Sequence, residues 1–212
     1  MRGNEMNIER RAFPVELRVE KRGDKTKIVG HAAIFNSLSV ELWGFREEVA
    51  PGAFADTIKE DDIRALFNHD PNLILGRNTS GTLALTEDDK GLFYEIDPPD
   101  TQTARDLVLS IERGDISQNS FAFNVLPDGA KWREDANGTL IRTIVRAKLY
   151  DISPVTYPAY LDTDISLRTA GETLATEGRN IVAALRSTIE PEVNHWEIDV
   201  RRRRLDLAAR GL

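Results

Sequence analysis

Residues 117–125 read SQNSFAFNV, from Ser117 to Val125. Phe121, Phe123 and Val125 alternate with Ser120, Ala122 and Asn124, the period of a β-strand with one apolar face. The aromatic face is expected to enter the core. Ser120 and Ala122 then occupy the opposite face, where small side chains leave room for an approaching group. A helix is predicted just before this strand. Over Asp100–Arg113 the apolar residues Ala104, Leu107, Val108 and Ile111 recur at helical spacing, and Gly114 follows as a C-cap. Further out, Val15–Glu20, Lys27–Phe35 and Gly91–Ile96 read as strands, the last after the turn Glu87-Asp88-Asp89-Lys90. Ala53–Lys59 reads as a short helix after Pro51-Gly52. Many short strands with one or two helices predict an α+β, mainly β fold. The expectation is an antiparallel barrel or sandwich with helices packed outside, and not a βαβ parallel sheet.

The chain has 212 residues, of which 41% are hydrophobic, enough for one buried core of ordinary size. Residues 1–167 carry the strand-like runs. Residues 168–212 are richer in Ala, Leu, Glu and Arg and read as a helical tail with a loop near Glu190–Asn194. A net charge of -7 disfavours generic nucleic-acid binding, which needs clustered cations. The absence of cysteine excludes disulfides, thiolate metal sites and a cysteine nucleophile, and fits a reducing compartment. No run is apolar enough for a transmembrane helix, and the N-terminus (MRGNEMNIERRAF) lacks the apolar stretch of a secretory signal.

Polar groups stand at the ends of three predicted strands. In Ile63–His69 (IRALFNH), one face carries Ile63, Ala65, Phe67 and His69, with a turn at Asp70-Pro71-Asn72. The plain alternative for His69 is a half-buried histidine bonded to backbone. Taken alone, Ser120 reads as an ordinary strand serine, since no G-x-S-x-G elbow surrounds it. In Leu140–Pro154 (LIRTIVRAKLYDISP), one face carries Ile141, Thr143, Val145, Ala147, Leu149 and Asp151. A carboxylate ending such a stripe must be hydrated, paired or hydrogen-bonded. Asp151 could also face water or bond the Ile152-Ser153 turn. A serine, a histidine and a carboxylate are what nucleophilic hydrolysis needs. The hydroxyl requires a base, and the base requires a partner that fixes its tautomer. Spacing along the chain leaves open whether the three meet.

At these residues the chain resembles the HK97-type phage prohead (capsid maturation) serine protease family, itself related to herpesvirus assembly proteases. The resemblance runs through Gly30–Asn36 (GHAAIFN), Phe45–Val49 with Pro51–Phe54, Ala65–Asp70 (ALFNHD), Leu75–Arg77, Ser80–Leu83 and Gly91-Leu92. It ends with Arg113–Ile116, Ser120–Phe123 (SFAF) and Asp151–Tyr160 (DISPVTYPAY). It implies a β-barrel wrapped by helices, like that of the herpesvirus enzymes. It also implies a serine endopeptidase that cleaves the scaffold, or a scaffold-like segment of the major capsid protein, and itself, inside the assembling procapsid in the bacterial host cytoplasm. The catalytic residues implied are Ser120 as nucleophile, His69 as base and Asp151 as the acidic member. No cofactor or metal is implied. The partners implied are the major capsid protein and scaffold, with self-association, and neither a membrane nor a specific nucleic acid. One position departs from the family pattern: Asn119 stands where a hydrophobic residue, often Met, is expected.

Ser117 is a rival nucleophile but lacks the Phe-Ala-Phe sequel. Arg77 is a candidate oxyanion partner, with a surface arginine as the alternative. His31 reads as structural, and His195 has no motif around it. With three histidines and no H-E-x-x-H spacing, a zinc site would have to lean on carboxylates. Arg201–Arg204 reads as a docking run or as a solvated helix face paired with Asp199 and Asp206. The tail reads as a targeting or self-cleaved segment. Two other functions compete: a proteolytically silent scaffold or assembly factor with the same fold, and an unrelated esterase.

Overall fold

The computed structural model describes residues 8–13, 17–157 and 165–189. The predicted alternation of residues 117–125 produces β9 (Gln118–Val125), which lies in a five-stranded sheet. Its neighbours are β1 (Glu9–Phe13) on one side and β12 (Ala147–Val155) on the other. Beyond β12 come β5 (Arg64–Phe67) and β6 (Asp70–Arg77). A four-stranded sheet runs β2 (Leu17–Arg22), β3 (Lys25–Ile34), β8 (Gly91–Ile96), β7 (Leu83–Glu87). A three-stranded sheet runs β10 (Ala130–Glu134), β11 (Leu140–Ile144), β4 (Arg46–Val49).

This arrangement is mainly β, as predicted, but it corrects the barrel. Among the described residues β1 and β6 remain edges of one sheet and β2 and β7 edges of another, so no sheet closes. Nor is the pairing wholly antiparallel. β12 runs parallel to β5, and β11 parallel to β4. Leu140–Pro154 is not one strand either. The chain breaks at Val145-Arg146, where both backbone N–H groups turn to Gly129 O. Residues before the break belong to one sheet and residues after it to another.

The main core lies between the five- and four-stranded sheets. Phe121, Phe123, Leu149 and Ile152 meet Ile28, Tyr94 and Ile96 there, all fully buried. It is closed by α2 (Gln102–Arg113) through Ala104, Leu107 and Ile111, the stripe read from the sequence. Thr101 caps this helix by accepting from Ala104 N–H, and Gly114 ends it at φ 82, a left-handed conformation that costs glycine little. A short α1 (Thr57–Glu60) packs beside β12.

The helix α3 (Ile165–Ile189) docks on the three-stranded sheet through a separate cluster of Leu42, Phe45, Leu140, Ala175 and Val182. Two tryptophans lie directly on its glycines. A Cβ at Gly171 would stand 2.1 Å from Trp43, and one at Gly178 would stand 2.5 Å from Trp132. His195, Arg201–Arg204 and the loop near Glu190–Asn194 lie outside the described residues.

A group of four charges, Glu47 and Arg142 buried and Glu9 and Arg11 largely so, fastens β1 to the three-stranded sheet. Arg11 Nε donates to Glu47 Oε1 at 2.8 Å and its Nη2 to Glu9 Oε2 at 2.7 Å. Arg142 Nη1 donates to Glu9 Oε2 at 2.7 Å and to Glu47 Oε2 at 3.0 Å. Two cations and two anions balance, which is the condition for keeping them out of water. Burial opposes ionisation of Glu9, but Arg11 and Arg142 outweigh it and hold its carboxyl below the usual glutamate value.

Two outcomes are expected. Alanine is ordinarily the better helix former by about 1 kcal/mol, yet Gly178→Ala should lower stability, because the added methyl overpacks Trp132 at a cost of about 1–3 kcal/mol. Thermal unfolding followed by tryptophan fluorescence checks this. Glu9 binds its proton less readily folded than unfolded. Its contribution is therefore present above its ordinary pKa of 4.5 and lost as pH falls through the lower folded value. Denaturant titrations in steps from neutral pH into acid should show that decline, and Glu9→Gln should lower the plateau and flatten the decline.

Candidate active site

Ser120 lies near the start of β9, on the face opposite Phe121 and Phe123, as the alternation predicts, and is 1% exposed. The residue before it explains the departure from the family pattern. Asn119 is fully buried on the core face, where its Oδ1 accepts from Tyr94 Oη at 2.6 Å. Its Nδ2 donates to His31 O at 3.3 Å. A polar side chain thus fills a core position by satisfying both ends of its amide. Burial pushes the Tyr94 phenol far up, so it stays a neutral donor.

Asp151 reaches the serine face through a β-bulge. Leu149 pairs with Phe123, but the next pairing is Asp151 with Ala122, leaving Tyr150 as the extra residue. Without the bulge Asp151 would follow Leu149 into the core, as strict alternation predicts. With it, Asp151 and Ser153 point to the side of Ala122 and Ser120, while Ile152 takes over the core face. Thr57 of α1 supports the bulge, its Oγ1 accepting from Leu149 N–H at 2.9 Å.

His69 does not continue a strand. β5 ends at Phe67, which pairs with Asp70, and Asn68 and His69 form the turn between them. Their φ angles are 54° and 57°, the left-handed pair that a type I′ turn requires. The Asp70-Pro71-Asn72 segment is not the turn but part of an irregular stretch of β6, where Leu66 pairs with Ile74 and Phe67 with Asp70. Asparagine and histidine enter this backbone region more readily than most side chains, yet for any residue but glycine it carries strain. The end of β12 holds the strain. Asn68 N–H donates to Pro154 O at 3.0 Å, Thr156 N–H to Asn68 Oδ1 at 2.8 Å, and His69 N–H to Ser153 Oγ at 3.2 Å.

The three predicted residues meet. His69 Nδ1 is 2.6 Å from Asp151 Oδ1, and His69 Nε2 is 2.7 Å from Ser120 Oγ. A carboxylate only accepts, so Nδ1 carries the proton and the Nε2 lone pair faces the serine hydroxyl. This tautomer can take a proton from Ser120. The surroundings are largely dry: the side chains of His69 and Asp151 are 11% and 12% exposed. Charges interact more strongly there than in water.

The other candidates fall elsewhere. Ser117 is exposed in the segment before β9. Arg77 ends β6, with His69 just before the strand's other end, and its guanidinium pairs with Asp62. The pair holds the Asp62 carboxyl down at about 2. His31 bonds Asp88 through Nε2 at 3.0 Å and serves the site only through its carbonyl, on Asn119. Among the described residues no cluster of His, Asp and Glu is suited to a metal, and no helix is long and apolar enough to cross a membrane.

A mainly β protein with a serine, an imidazole and a carboxylate in hydrogen-bonded series has the arrangement that serine hydrolases use. The sequence profile described as caudovirus prohead serine protease matches residues 14–176. The chain belongs to this family of capsid maturation proteases. Among solved structures it is similar to the capsid assembly protease gp21 of bacteriophage T4, at 11% identity and a TM-score of 0.46, over 72% of this chain and 98% of that one. No curated protein matches.

The Tyr94–Asn119 bond behind the serine is open to a double-mutant cycle. Asn119→Leu and Tyr94→Phe should each cost about 1–3 kcal/mol, because each strands a buried polar partner. The double variant should lose clearly less than the sum. Equilibrium unfolding of the four proteins measures the coupling.

Proposed function

We propose that this chain is a serine endopeptidase of the Ser-His-acid type, acting on procapsid proteins. The observation that carries the reading is the unbroken series Ser120–His69–Asp151, with both contacts under 2.8 Å. Membership of the prohead serine protease family supplies the setting. In the proposed reaction His69 Nε2 takes the Ser120 proton as the oxygen attacks a peptide carbonyl. The same nitrogen then gives the proton to the leaving amine. Water next attacks the acyl-enzyme, again through His69. Asp151 remains ionised throughout and stabilises the imidazolium.

The substrates proposed are the scaffold, or a scaffold-like segment of the major capsid protein, and the enzyme itself. The reaction would take place inside the assembling procapsid in the bacterial host cytoplasm, with the protease self-associated. A fold kinship with herpesvirus assembly proteases is part of the same reading. So is a tail from residue 168 that serves as a targeting or self-cleaved segment. Among the described residues the main core takes none from α3, which favours a protease domain that folds without the tail.

The test is co-expression with the major capsid protein encoded beside it, with both proteins read by intact-mass spectrometry. Wild type should yield a trimmed capsid protein or a shortened protease, and Ser120→Ala should yield neither, a loss of at least about a thousandfold in rate. Equal cleavage by both would remove Ser120 from the role. Shells that assemble without any cleavage would favour a silent assembly factor.

A further inference from the structure

Ser153 is fully buried and stands directly across from Ser120 in the β9–β12 ladder. Its hydroxyl donates to Asp151 Oδ1 at 2.9 Å. Ser153 Oγ in turn accepts from the His69 backbone N–H at 3.2 Å and lies 3.4 Å from His69 Nδ1. It therefore touches two of the three members of the series and none of the atoms that would react. We infer that Ser153 is a positioning residue that locks the Asp151 carboxylate and the His69 turn into one rigid unit. This rests on the serine protease reading above.

Two constraints make the hydroxyl necessary. Asp151 Oδ1 receives the His69 Nδ1–H bond, and a second donor on that oxygen limits rotation of the carboxylate about its own axis. His69 sits at φ 57, a strained conformation that persists only when neighbours over-determine it. Its own N–H would be left without this acceptor if the hydroxyl were removed. A misplaced imidazole costs rate even when it remains in the site, because proton transfer depends on the Nε2–Oγ distance. The sequence carries the pairing as an Asp-x-Ser step on one strand face, which only the bulge at Tyr150 aims at the serine.

The experiment uses the full chain and a fluorophosphonate, which labels an activated serine without requiring knowledge of the peptide substrate. Labelling of Ser120 is followed by mass spectrometry, folding by circular dichroism and thermal melting, and the His69 Nδ1–H by its downfield proton resonance. Wild type should label at Ser120 and show the resonance. Ser153→Ala should fold yet label about 100-fold more slowly, the scale of loss that a misplacement of about 1 Å causes, with the resonance displaced or broadened. Should Ser153→Ala not fold, the near-isosteric Ser153→Cys, whose thiol is a weaker donor, decides on the same readouts. Wild-type labelling rates in a folded variant overturn the inference alone. So does slower labelling with an unmoved resonance, which would mean a general structural role. Failure of wild type to label, or labelling that persists in Ser120→Ala, removes the protease reading and this inference with it.

Discussion

One extra residue in one strand sets the chemistry of this protein. β12 pairs with β9 on one side and β5 on the other, and the bulge at Tyr150 shifts its register by one. A one-residue shift moves every later side chain to the other face. Asp151 and Ser153 leave the core face and Ile152 enters it. The carboxylate then stands where the histidine can reach it, and the apolar core loses nothing. A buried carboxylate without such partners would be costly, so bulge, histidine and serine depend on one another.

β12 has a second task, which is to hold a strained turn. The backbone at Asn68 and His69 is left-handed, and the side chains and backbone at Ser153, Pro154 and Thr156 keep it so. The imidazole thus projects from a two-residue hairpin tip bound to the strand that carries its carboxylate partner. Strain of this kind is found where a side chain must be held away from its usual direction. The main core supports the arrangement from behind, through Phe121, Leu149 and Ile152.

The charged cluster of Glu9, Arg11, Glu47 and Arg142 does different work. It ties the edge strand β1, which flanks the Ser120 strand, to a sheet that contributes nothing to the Ser-His-Asp series. Balanced buried charges of this kind add little net stability, but they strongly penalise structures in which one member is misplaced. α3 is held in another way, by close packing of glycines on tryptophan rings, where shape decides.

Much of this was legible in the residues themselves. Alternation in β9 assigned Phe121 and Phe123 to the core and Ser120 to the other face, because a strand with no irregularity obeys a period of two. Helical spacing and Gly114 gave α2, and residue chemistry with family resemblance singled out Ser120, His69 and Asp151. What alternation got wrong were the irregularities. Leu140–Pro154 was broken at Val145-Arg146 by hydrogen bonds to distant Gly129. Asp151 was turned by a bulge whose support comes from Thr57. His69 was carried off its strand by a turn that β12 holds in place. Asn119 had no visible reason to be polar until Tyr94 and the His31 carbonyl were found beside it. A residue's own chemistry and its local period are written in the chain. Where a period is interrupted, and which groups then face each other, depends on partners far away in sequence, and folding alone brings them together.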